Sequence, residues 1–114
     1  MDNEQAGVDS LLKTTLLSLG VPVERLRYRG KADVYMTFQL LTGQETEFAD
    51  DDATAYEHYY RLDIFSKGSY TALLRRTESA LKAAGFYGIT VCAEIYEEAT
   101  SFYHVPIEFY FMEV

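Results

Sequence analysis

Apolar positions recur with a helical period over residues 4–19, where Val8, Leu11, Leu12, Thr15, Leu16 and Leu19 fall on one stripe. Gly20 followed by Val21-Pro22 predicts the end of that helix: glycine supplies a left-handed residue and proline cannot continue. Asp2 with Gln5 resembles a weak capping box at its start. A second stripe, Tyr70, Leu73, Leu74, Thr77, Leu81 and Ala84, predicts a helix over 70–84, with Ser69 as N-cap. Gly85-Phe86 closes it, with Phe86 placed over Leu81.

The period elsewhere is two. Over 34–41, Val34, Met36, Phe38 and Leu40 alternate with Tyr35, Thr37 and Gln39. Over 56–65, Tyr60, Leu62 and Ile64 alternate with Glu57, Tyr59, Arg61 and Asp63. Ile89, Val91, Ala93 and Ile95 alternate with Thr90, Cys92, Glu94 and Tyr96. Tyr103, Val105, Ile107, Phe109 and Phe111 alternate with His104, Glu108 and Tyr110. The predicted order is α-β-β-α-β-β in one domain, residues 1–114, without repeats or linkers. The fold class is α+β: a four-stranded, mainly antiparallel sheet with both helices on one face. The last two strands read as a hairpin with an odd loop around 99–101, because their apolar residues are all odd-numbered. Pro106 lacks an N–H, which suggests an edge position for the last strand. Residues 42–55 read as a long loop joining the first two strands.

Two helices cannot shield both sides of such a sheet. The open side should carry Tyr35, Tyr59, Tyr96 and Tyr110 among polar neighbours. It is either a solvated face on which tyrosine reflects strand propensity, or a protein interface, where tyrosine and arginine concentrate.

Composition narrows the function. The formal charge of −8 disfavours nucleic-acid binding unless the basic residues cluster. The lone Cys92 permits no internal disulfide and reads as a packing residue within its strand. The N-terminal residues lack the pattern of a secretory signal, and no apolar run approaches a membrane span, so a reducing cytoplasm is expected.

The charged residues are unevenly placed. The loop carries Glu45, Glu47, Asp50, Asp51 and Asp52 without a base. A metal site at 50–52 would lack the alternating acids, glycine and closing glutamate of a calcium loop, so no metal is assigned. Arg25, Arg27, Arg29 and Lys31 alternate over 25–31 and hold four of the ten basic residues. An extended backbone there makes a basic stripe suited to an acidic partner, including the acidic loop of a neighbouring copy; the alternative is plain surface charge. His58 and His104 sit on strands, and no motif joins either to a nucleophile. No catalytic residue, cofactor or enzyme activity is expected.

Several features then run in order: Leu11-Leu12 through Leu19-Gly20-Val21-Pro22-Val23, Tyr35-Met36-Thr37-Phe38 and Ala49-Asp50-Asp51-Asp52. Ile64-Phe65-Ser66-Lys67-Gly68, Ala84-Gly85-Phe86 and the run Tyr96 to His104 follow. Together they resemble the tail-completion, or tail-terminator, proteins of long-tailed bacteriophages and Gram-positive prophages. The resemblance spans nearly the whole chain, by order rather than by a single fingerprint. It implies a small α/β fold forming a homo-oligomeric ring of six copies. Such a ring caps the tail tube, stops its polymerisation and meets the head connector or stopper protein. DNA passes through the lumen without specific binding. The implied location is the virion head–tail junction, with assembly in the bacterial cytoplasm and no membrane. It implies neither enzyme activity nor cofactor. A head-closure or neck adaptor protein is the alternative within the same class, and a small ligand-binding module the alternative outside it.

Overall fold

The computed structural model describes residues 3–49 and 52–114. Its elements are α1 (Asn3–Leu17), β1 (Val23–Arg25), β2 (Val34–Ala49) and β3 (Asp52–Ser66), then α2 (Thr71–Ala83), β4 (Tyr87–Val91), β5 (Ile95–Glu97) and β6 (Phe102–Glu113). The sheet has six strands, not four, ordered β1-β2-β3-β6-β4, with β5 also paired to β6. All pairings are antiparallel except that of β1 with β2. Among the described residues no helix is long and apolar enough to cross a membrane.

The helical stripes meet one face of the sheet. Val8, Leu12, Leu16 and Leu19 of the first stripe, with Leu81 of α2, are buried against Met36, Phe38, Tyr60, Leu62, Ile64, Val105, Ile107 and Phe109. These strand residues are the predicted apolar sets of β2, β3 and β6. α2 ends as its glycine predicts: Gly85 has φ 101°, its N–H reaches the Lys82 carbonyl, and the Phe86 N–H reaches that of Leu81. Its N-cap is Tyr70, without a side-chain cap bond, rather than Ser69. Asp2 lies outside the described residues.

Three expectations are corrected. Residues 42–49 and 52–55 are not a loop but the distal half of a β2–β3 hairpin, paired from Thr42–Tyr59 to Ala49–Asp52, with a register shift between Leu40 and Thr42. That shift broke the alternation on which the sequence reading relied. β6 is central, between β3 and the β4–β5 edge. Pro106 is tolerated there because its carbonyl accepts the Cys92 N–H at 2.8 Å, so its nitrogen also points to that neighbour, where β4 has ended and β5 has not begun. The third concerns the last hairpin, where Glu97 faces Phe102 across a four-residue turn, not an odd one. Val91 faces Ile107 but Ile95 faces His104, so one extra residue lies in the 92–94 interval. This bulge turns β5 over relative to β4. Cys92 sits at the break, not in mid-strand.

β6 accompanies β3 only as far as Tyr56–Glu113. Beyond that level β2 and β3 continue as a two-stranded arm. The chain is therefore elongated, with extents of 53 × 26 × 24 Å. Its radius of gyration of 15.2 Å exceeds the about 13 Å expected of a compact chain this long.

Candidate protein interface

The face turned away from the helices carries two aromatic rows with a polar band between them. In the first row Tyr35 faces Phe65, and Phe65 faces His104. The rings stack, Tyr35 on Phe65 at 4.7 Å and Phe65 on His104 at 4.3 Å between centroids. Tyr28 extends the row from the 26–33 segment, stacking on Tyr35 at 4.4 Å, and Phe102 meets both Tyr35 and Phe65 edge-on. In the second row Tyr59 faces Tyr110, and Tyr110 faces Tyr87. Their ring centroids are 4.5 and 5.8 Å apart. Such cross-strand pairs stabilise the sheet while leaving ring surface available.

Between the rows, Asp63 is nearly buried at 9% exposure. It accepts from Arg61 at 3.0 Å and stands 2.8 Å from His104 Nε2. Its hydrogen bond raises the Arg61 pKa further, so this guanidinium stays charged. Tyr59 donates to Glu108, and this bond is the main reason its pKa is pushed up to about 12. Tyr87 donates to Glu57 at 2.5 Å. Burial, then the nearby Glu97, raises the Tyr35 pKa. Asp63, Glu108 and Glu57 are thus occupied by hydrogen bonds, leaving flat aromatic surface at the rows and satisfied polar groups between them. This pattern suits a protein partner better than a polyanion.

Tyr35, Tyr59 and Tyr110 therefore lie on the open face, as expected. Tyr96 does not. It faces Tyr103 and packs on it at 4.9 Å, on the helix side, because the 92–94 bulge reverses β5. Ile95, 47% exposed, shares the open side with His104 instead. Tyr28, Phe65, Tyr87 and Phe102 join the face beyond the expected residues. The strand alternation carries the signal for Phe65, two residues beyond Asp63; Tyr28 arrives from an irregular segment that no periodicity describes.

The basic stripe is also corrected. Arg25 is bound within the chain, 3.4 Å from Asp9 of α1. The extended ribbon stops at Leu26, whose φ is 69° and across which the Arg27 N–H reaches the Arg25 carbonyl at 2.8 Å, a γ-turn. Arg27, Arg29 and Lys31 remain exposed. On the acidic side, Glu45 and Glu47 lie on β2 and Asp52 begins β3, so these three sit on the arm. Asp50 and Asp51 lie outside the described residues. Among the described residues no group of three or more His, Cys, Asp or Glu could hold a metal ion.

His58 is buried, with Nε2 2.9 Å from Glu113 and Nδ1 without a partner among the described residues. Two depressions are formed by described residues. One is lined by Glu24, Arg27, Tyr28, Arg29 and Gly30, another by residues 67–71 with Glu94 and Tyr103. Neither includes His58 or His104.

No family model and no curated protein matches the chain. Among solved structures its fold is similar to that of a chain in the "Virion of native gene transfer agent (GTA) particle", with a TM-score of 0.51 and 13% identity. The similarity covers 87% of this chain and 88% of the other, so nearly the entire fold corresponds, at an identity that speaks for the fold alone.

Proposed function

We propose that this chain is a structural protein of a phage-like virion, and specifically a tail-completion protein whose copies close into a ring on the end of the tail tube. The observation that carries the reading is the sheet side left bare by both helices, with its two aromatic rows. Such a surface calls for cover by other chains. The likeness of fold to a virion chain supports the class, and the ordered sequence resemblance supports the position at the head–tail junction. In this reading the protein catalyses nothing and needs no cofactor. Its partners are further copies of itself, the tube protein and the head connector.

Mass photometry of the purified chain, alone and with assembled tail tubes, tests the proposal. The expected result is a closed oligomer, six copies by the resemblance, and tubes that stop growing with density at one end. A chain that stays monomeric at every concentration and never binds tubes overturns it. A neck or head-closure adaptor is equally compatible with the virion-chain fold. Selective capture by portal-side proteins over tube protein would favour that position.

A further inference from the structure

The two charged segments of this molecule lie at separate places on an elongated body. The hairpin arm carries Glu45 and Glu47 on β2 and Asp52 at the start of β3, and the sequence over 45–52 contains no base. Arg27, Arg29 and Lys31 sit beside the short β1 strand, and among the described residues none has a carboxylate partner. β1 ends with Arg25 facing Phe38, whereas Glu45 lies seven residues farther along β2. At ~3.3 Å per residue that is about 23 Å, more than two Debye lengths in physiological salt. The segment after Arg25 runs back to Val34, away from the arm. Arm and basic segment of one chain are therefore held apart.

The basic segment is also a built surface. The turn at Leu26 reverses the chain, Tyr28 stacks on Tyr35, and the Ala32 N–H donates to the Tyr28 hydroxyl at 3.1 Å. Gly30 leaves room for that ring, since a Cβ would stand 2.1 Å from the Tyr28 hydroxyl oxygen and push the tyrosine aside. Arg27 and Arg29 flank the anchored tyrosine and, with Glu24 and Gly30, line an open depression of about 400 Å³. Glu24 is itself paired with Lys13 at 3.7 Å, which leaves the two exposed guanidiniums beside the ring as the groups suited to carboxylates.

We infer that the acidic arm of one copy docks on the Arg27–Tyr28–Arg29 surface of the next, making the head-to-tail contact of the assembly. The occupant is a second copy because the complementary charge lies on the same chain, out of reach of its own receptor. Donor and acceptor surfaces differ, so repetition generates a ring when the rotation closes. This inference rests on the oligomeric reading above and adds the surfaces that meet.

The test compares three variants with the natural chain by analytical ultracentrifugation at low and high salt, with circular dichroism to verify folding. They are Arg27→Glu with Arg29→Glu, Glu45→Lys with Glu47→Lys, and all four together. Either reversal should weaken self-association at least about tenfold at low salt and reverse its salt dependence, because like charges then face each other and salt screens their repulsion. The fourfold variant should recover most of the loss. Unchanged association in folded double variants, or no recovery in the fourfold variant, overturns the contact while leaving the ring reading intact. A natural chain that is monomeric throughout overturns both. Binding of a short DNA duplex that depends on Arg27 and Arg29, with association unaffected, would reassign the surface to phosphate.

Discussion

At Asp63 the chemistry of the open face converges: one carboxylate at 9% exposure is shared by Arg61 and by His104 of the neighbouring strand. Its low exposure comes from those side chains and the flanking rings, with no helix above it. Tyr59 shows the same economy on the second row. Its hydrogen bond to Glu108 favours the neutral phenol, moving its pKa from 10.0 to about 12. A folded value above the unfolded one means that its contribution to stability is complete below pH 10 and fades as the pH climbs through about 12. Ultraviolet titration should therefore find Tyr59 among the last of the ten tyrosines to ionise. The Tyr59→Phe chain should lack that final step, whereas an identical titration curve would contradict the bond. Strand alternation made Tyr59 and Tyr110 legible as open-face residues. The Asp63 cluster was not, because ion pairing across strands depends on a register that one strand's sequence does not state.

Among elements, long regular stretches were readable and interruptions were not. Both helices follow from their stripes, and Gly85-Phe86 ends α2 as read. The arm reads as a loop in sequence because the shift at Leu40/Thr42 and the acidic residues beyond it erase the two-residue rhythm. Tyr96 was placed on the wrong side because the 92–94 bulge inserts a residue that alternation cannot register. Pro106 signalled that break, but on the neighbouring strand rather than at the edge of the sheet. The arm has little part in the core, so it should be removable. Glu45 faces Tyr56, and a two-residue Asn-Gly turn joining them in place of 46–55 suits the twist of such a hairpin. The shortened chain should keep its circular dichroism spectrum and a midpoint within about 5 °C of the natural chain, a stability change near 1 kcal/mol at this size. It should also lose self-association. Collapse of the fold on excision would show instead that the arm is part of the stable body.

The whole molecule is a shielded half and a bare half, drawn out to 53 Å by the arm. In the proposed assembly the rows and the arm would find cover that a single copy does not supply. The −8 charge does not oppose this, since Arg27, Arg29 and Lys31 form an exposed basic segment that can direct approach. Ring closure and tube capping are properties of several copies, which no pattern within one copy displays. The fold likeness and the sequence resemblance bear on them only through the class of protein.

Beyond Phe38 the outer side of β2 has no strand beside it among the described residues, and its run to Ala49 is long for an uncovered edge. Mutual repulsion between carboxylates is what discourages two such edges from zipping together indiscriminately. Acidification to about pH 4, near the intrinsic range of aspartate and glutamate, removes that safeguard. Solutions of the protein should then turn cloudy with a rise in thioflavin fluorescence, and the arm-shortened chain should stay clear for longer. Colloidal behaviour in acid thus becomes a reporter of how the edge is guarded.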